Sequence, residues 1–293
     1  DEPKMAGISR AERVWHTAGI EKNIRADGRE CLDWRAISLE TGLLSQTNGS
    51  ARVRVGRTDV IVGIKAEVGN PTPERPDRGR LQFSVECCPA ASAEFQGRRG
   101  EDIGQELSRT LERIFAHDGS IDLAILCIQP GQSCWVLYID ALVLGTDGNI
   151  LDAVSLAVRA ALYATRVPKV DLVPGDEAGR MNIEVNDDPH ECTRIAIDRF
   201  PVCVTLYKVG SRFIVDPTRQ EELCTSAKVA VAVSKGGVVC GTHKIGTGAI
   251  DPASFQTMIQ TAKKVGAEVV QSLDEALRRE ESFADLPKPM VLS

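Results

Sequence analysis

Twice along its length the chain runs through strand-patterned stretches and then into a helix-patterned one, and this repeated order most constrains its fold. In the first pass, "SARVRVGRTDVIVGIKAEV" puts Val60, Val62, Ile64, Ala66 and Val68 on one face, the period of two expected of a half-buried strand. "GEDIGQELSRTLERIF" spaces Ile103, Leu107, Leu111 and Ile114 by four, four and three, a helix with one buried stripe. "LAILCIQP" and "CWVLYIDALVL" are apolar on both faces and read as central strands. A helix follows from about 150 to 165, ending before Pro168.

In the second pass, "FPVCVTLYKVGSRFIVD" and "AKVAVAVSKGGVVCGTHKIG" are strand pairs turning at "VGS" and "KGG". A long helix then starts at Asp251, a suitable N-cap followed by Pro252 at the first helical position. Its stripe is Phe255, Met258, Ile259, Ala262, Val265, Val269, Leu273 and Leu277. The pattern predicts an α+β chain of two similar strand-then-helix lobes, an internal duplication.

Boundaries follow from composition. Residues 1–30 form a lead-in with an amphipathic helix over 8–23 and the turn "RADGRE"; lobe one spans 31–170. A polar stretch over 172–190, rich in Pro, Gly and acids, marks a linker at 171–195, and lobe two spans 196–293. "GNPTPERPDRGR" at 69–80 holds three prolines and reads as an exposed loop.

With 293 residues and 43% hydrophobic content, the chain can build one large or two modest cores. Aromatics are only 4%, which leaves the packing to Ala, Val, Ile and Leu. The net charge of −6 argues against a free-standing nucleic-acid binder, since such binding rests on neutralising phosphates. None of the nine cysteines forms a C-x-x-C, and most sit in apolar runs, so buried reduced thiols are expected. His16, His117, His190 and His243 are scattered, and no metal or other cofactor is expected. No apolar run approaches the roughly 20 residues of a membrane span, and the N-terminus is charged rather than signal-like, so the expectation is a reducing compartment and no membrane partner.

"LVLGTDGNILDAVSLAVRAAL" joins an apolar strand, a tight turn and a helix start, the arrangement that often seats a phosphate on free N–H groups and the helix dipole. "ADGR", "GSARVRVGRTDVIVGIKAE", "GRRGEDIGQELSRTLERIF", "DGNILDAVSLAVRAAL" and "FIVDPTRQEE" occur in that order. Together they resemble an RNase PH-type domain, and more narrowly the ring subunits of the eukaryotic exosome, from about residue 8 to 280. The resemblance implies an RNase PH-like fold of two ribosomal protein S5 domain 2-like lobes about a pseudo-two-fold axis. It also implies assembly into a six-membered ring whose channel threads single-stranded RNA.

Active members of that family cut RNA from its 3′ end by phosphorolysis, holding phosphate at a turn that reads Asp, a small residue, Gly, Ser or Thr, then Arg. Laid on this chain, those places fall on Asp147, Gly148, Asn149, Ile150 and Leu151. Hydrocarbon stands where the hydroxyl and guanidinium would grip the phosphate. The resemblance also places the family's two carboxylates, six residues apart, on Asp216 and Glu222, with Glu at the second place. Without a phosphate to deliver, the expected role of Asp216 is turn and helix capping before Pro217. Arg98 and Arg99, just before a helix, match a position that contacts RNA in related subunits; the bland alternative is a solvated pair. Arg52, Arg54 and Arg57 are read as a solvated or subunit-facing edge.

The expected function is thus a non-catalytic subunit of the RNA exosome ring, the alternative an active phosphate-dependent 3′ exoribonuclease. A carboxylate-dependent metal hydrolase lacks His or further acids at ligand spacing. The partners implied are other RNase PH-like subunits, RNA-binding cap proteins, an associated hydrolytic ribonuclease and single-stranded RNA. The locations implied are the nucleus, nucleolus and cytoplasm.

Overall fold

Ser9 and Glu12 cap each other reciprocally: Ser9 Oγ accepts from the Glu12 N–H at 3.2 Å and the Glu12 carboxylate accepts from the Ser9 N–H at 2.7 Å. They open α1 (Arg10–Glu21), whose Ile20 is buried. This computed structural model describes residues 7–115, 120–174, 181–186, 188 and 191–284. No helix among them is long and apolar enough to cross a membrane.

Lobe one is a sheet of β1 (Ile37–Thr41), β2 (Gly49–Val55), β3 (Thr58–Gly69), β4 (Arg80–Cys87), β5 (Cys127–Gln129) and β6 (Ser133–Gly145). The order is β1-β2-β3-β6-β4, with β4 parallel to β6, the other pairs antiparallel, and β5 added to β6. Val60, Val62 and Ile64 are buried as the alternation requires, while Val68, near the end of β3, emerges to 41% exposure. α2 (Arg98–Phe115) packs on β4, where Gly104 abuts the Val85 carbonyl and Ser108 Oγ accepts the Val85 N–H at 2.9 Å. The expectation of a strand for "LAILCIQP" is corrected. Asp122 caps a 3-10 turn over Leu123–Leu126 by accepting the Ala124 N–H, which leaves three residues for β5.

After α3 (Ile150–Ala164), the stretch read as a linker, together with the residues just before it, carries two small ribbons. β7 (Arg166–Pro168) pairs with β10 (Cys192–Arg194), and β8 (Val170–Pro174) with β9 (Met181–Val185). Lobe two is a four-stranded antiparallel sheet, β12-β11-β13-β14, made of β11 (Val202–Val209), β12 (Arg212–Val215), β13 (Ala227–Ser234) and β14 (Val238–Ile245). A short α4 (Arg219–Glu222) follows β12, and α5 (Pro252–Ala284) covers the sheet. Asp251 caps α5 through the Ser254 N–H at 2.8 Å. All nine cysteines are free thiols, but only Cys31, Cys134 and Cys203 are buried; the others are half-buried, because most of the apolar runs holding them lie at sheet margins.

The core is continuous across the lobes because α3 lies between both sheets, with every residue from Leu151 to Leu162 buried. A helix buried all round must satisfy each polar side chain it carries. Asp152, Ser155 and Arg159 fall three and four apart on one face and dock onto lobe two. Asp152 accepts the Thr205 N–H at 2.8 Å and its hydroxyl at 2.6 Å, and Ser155 Oγ accepts the Cys203 N–H at 2.9 Å. Arg159 donates to the Ile197 and Phe200 carbonyls and forks onto Asp274 of α5.

Burial pushes the Asp152 carboxyl up from 3.8 to about 7, against the two Thr205 donors that favour the anion. A folded pKa above the unfolded one gives stability that is complete below the unfolded value and lost as pH rises through the folded one. Asp152→Asn is therefore expected to flatten the fall in stability between about pH 4 and 7. Urea midpoints measured across that range check it; an unchanged slope would count against the shift.

Candidate functional site

At the end of β6 the chain turns through Thr146, Asp147, Gly148 and Asn149 into α3. Gly148 has φ +87°, and a Cβ there would lie 2.7 Å from the Pro217 carbonyl oxygen, so the turn packs directly on the backbone ahead of α4. Asn149 is left-handed at φ 55°, a conformation Asn tolerates better than most residues. Its buried side chain is a bridge: Nδ2 donates to Asp216 Oδ1 at 3.0 Å, and Oδ1 accepts the Tyr207 hydroxyl at 3.2 Å.

Three donors of this turn, those of Asp147, Gly148 and Asn149, are already engaged. The Asp147 N–H donates to Thr58 Oγ1 at 3.0 Å and the Gly148 N–H to Thr146 Oγ1 at 3.4 Å. The Asn149 N–H donates to Glu222 Oε2 at 3.4 Å, so the chain's own carboxylate stands at the positive end of α3. Ile150 is half-buried and Leu151 buried, and both line a cleft of about 280 Å³ with Tyr207, Arg219, Glu222 and Lys228. Both cations of that lining are paired: Lys228 Nζ lies 3.1 Å from Glu222 Oε1, and Arg219 lies 3.0 Å from Glu94 Oε1. An anion entering here meets hydrocarbon, the carboxylates of Glu94, Glu106 and Glu222, and neutralised cations.

Asp216 and Glu222 do not share the cleft. Glu222 faces it, whereas Asp216 is fully buried behind the turn at φ 44°. The Asp216 carboxylate accepts the Arg35 N–H at 2.9 Å, Arg35 Nε at 2.8 Å and Arg35 Nη2 at 2.7 Å; Arg29 reaches it at 3.3 Å. Burial works to raise its pKa, but the Arg35 hydrogen bonds and charge prevail and hold it below the usual value. The expectation that Asp216 caps the helix is corrected: Thr218 caps α4, in a reciprocal box with Glu221. Glu221 in turn is gripped by Arg25 at 2.5 and 2.9 Å, a buried pair.

Three arginines of the lead-in and early lobe one thus pin the start of α4 against the turn. Arg35 also donates to the Asp147 and Gly148 carbonyls at 2.9 and 3.4 Å. Arg25 and Arg29 lie in the "RADGRE" turn, but no role was read for any of the three, although the "TRQE" cap was visible as a Thr followed three residues later by Glu.

Arg98 and Arg99, expected just before the helix, are instead the first two residues of α2, and both are exposed. Arg52 forks onto Asp59 at 2.7 and 2.9 Å, Arg54 adds a contact at 3.2 Å, and Arg57 is exposed. Among the described residues no three His, Cys, Asp or Glu are grouped to hold a metal ion; His117 and His190 lie outside them.

The geometry matches known proteins over most of the chain. Two family profiles fit, "3′ exoribonuclease family, domain 1" over residues 33–168 and "domain 2" over 199–265. A Dictyostelium discoideum protein named as an exosome complex exonuclease RRP42 is 37% identical over 94% of this chain and 99% of its own length. An exosome complex component Rrp42 of Methanopyrus kandleri is 35% identical over 92% of this chain and 98% of its own. A chain of the Archaeoglobus fulgidus exosome, solved with RNA bound to the active site, superposes with a TM-score of 0.75 at 28% identity, covering 89% of this chain and 97% of that one.

Proposed function

This chain belongs to the 3′ exoribonuclease family of RNase PH type, and from that premise we propose that it is a non-catalytic ring subunit of an RNA exosome. The observation that carries the proposal is the filled turn. Phosphorolysis requires a phosphate held in line with the scissile bond and its developing charge neutralised. By the resemblance, Ile150 and Leu151 fall in the places of the hydroxyl and guanidinium, and Glu222 accepts the Asn149 N–H at the start of α3. The fold is retained as scaffold, and the chemistry belongs to other subunits. Different RNase PH-like neighbours, RNA-binding cap proteins and an attached hydrolytic ribonuclease complete this reading, with nucleus, nucleolus and cytoplasm as its locations.

The purified chain, given single-stranded RNA and inorganic phosphate, is expected to release no nucleoside diphosphate, alone or assembled with other RNase PH-like subunits whose own sites are disabled. Glu222 is half-exposed, so Glu222→Gln should fold normally and serve as the control. Phosphate-dependent release that disappears in Glu222→Gln would overturn the proposal in favour of an active exoribonuclease.

The RNA path of this subunit is assigned to Arg98 and Arg99. Both are exposed at the start of α2, where the phosphates of a threaded strand could meet them. Replacing both by Ser is expected to weaken RNA binding by the assembled ring and to flatten the dependence of log affinity on log salt by about 0.7 per lost phosphate contact. Both are exposed, so thermal stability should barely move. Unchanged affinity and salt slope would place the RNA path elsewhere.

A further inference from the structure

β1 ends the lobe-one sheet and, among the described residues, pairs with no strand on its outer side. The Gly42 N–H reaches the Ser50 carbonyl and the Ala36 carbonyl accepts the Gly56 N–H, so even-numbered backbone groups turn inward to β2. The Thr41 N–H points the other way, to Glu280 Oε1 at 2.6 Å. By this alternation Ile37 and Leu39 present their N–H and C=O groups outward. Beside them a groove of about 360 Å³ runs between β1 and α5, with Trp34, Leu39, Val269 and Leu273 in its lining. Leu32 and Ile37 at its margin are 42% and 39% exposed.

Two buried polar atoms at opposite ends of this edge have no partner among the described residues: Trp34 Nε1, a donor, and Glu280 Oε2, an acceptor. Leaving such groups unpaired is costly, and an added strand offers a carbonyl to one and an N–H or cation to the other. The charged residues of the groove lining are Asp33 and Glu268, both acidic.

We propose that this groove is a strand-addition site for an extended segment of a partner protein, apolar at alternate positions with lysine or arginine between. Main-chain hydrogen bonds to Ile37 and Leu39 would give affinity, and the apolar floor would select alternate side chains. The acidic lining disfavours RNA. It also disfavours a second copy, which brings the same acids on a chain of net charge −6. The site rests on the sheet edge alone and does not depend on the ring assignment.

The test uses the full chain and an acetylated six-residue peptide alternating valine and lysine. Titration is expected to give a saturable change in tryptophan emission that Trp34→Phe removes, together with slowed hydrogen exchange at the Ile37 and Leu39 amides. Ile37→Pro deletes one outward N–H at an edge position where proline is tolerated, and it should weaken binding by about fivefold, the worth of one net hydrogen bond. Glu268→Lys should weaken it as well, and a valine–glutamate peptide should not bind. Exchange protection keeps the test valid if Trp34→Phe misfolds. Equal binding of the acidic peptide, absence of protection at these amides, protection that grows with protein concentration without peptide, or protection by oligouridylate would each overturn the proposal.

Discussion

Arg159→Ala is expected to destabilise the fold by about 3–5 kcal/mol, the usual cost of removing one partner from a buried ion pair. The guanidinium is fully buried and serves three groups at once: the Asp274 carboxylate on α5 and the Ile197 and Phe200 carbonyls that lead into β11. Truncation leaves Asp274 without its cation and two carbonyls without a donor in the seam between the lobes. For a chain of this size each kcal/mol shifts the melting temperature by roughly 2–4 °C, so a fall of roughly 10 °C is expected by calorimetry. Arg159→Lys should recover little, because one ammonium cannot span the fork. Arg159→Met combined with Asp274→Leu should recover part, since removing both charges spares the desolvation cost. A single-mutant loss below about 1 kcal/mol would mean the seam is wet and the lobes are held by apolar packing alone.

That seam shows where sequence reading stops. Helices with one apolar stripe were legible: Ile103, Leu107, Leu111 and Ile114 face inward on α2, and the α5 stripe runs as its spacing implies. α3 was legible as a helix, but its Ala, Leu and Val content concealed that Asp152, Ser155 and Arg159 form a docking line. Local periodicity cannot reveal that line, because its partners Thr205, Cys203, Ile197 and Phe200 lie at least 38 residues away. The turn itself was legible through Ile150 and Leu151. What fills it was not, since Glu222 reaches Asn149 across 73 residues. Short apolar runs were the weakest guide. "LAILCIQP" carries the composition of a strand, yet Asp122 turns it into a 3-10 segment.

Asp216→Ala is expected to cost a similar 3–5 kcal/mol, which sets a structural role for this carboxylate against a chemical one. A residue kept for catalysis usually contributes little to stability, or detracts from it, because its charge is held ready for substrate. Asp216 is committed elsewhere. Its oxygens accept from Arg35, Arg29 and Asn149, and the same arginine clasps the Asp147 and Gly148 carbonyls, so its loss frees both the turn and the lead to α4. Glu222→Gln should cost less than about 1 kcal/mol, as its pair with Lys228 is partly exposed.

The pH dependence carries the same signature. The folded pKa of Asp216 is depressed, so its contribution is complete above the ordinary carboxylate range and is lost as pH falls through the folded value. Glu221, lowered by Arg25 against the opposing effect of burial, adds in the same direction. Acid unfolding of the native chain should therefore be steeper than that of Asp216→Asn, which keeps the shape of the side chain but cannot titrate. Denaturant midpoints from neutral pH downward decide the matter. If Asp216→Ala melts within a few degrees of the native chain while Glu222→Gln falls far below it, the turn is held from the cleft side, and Asp216 is free for a chemical role.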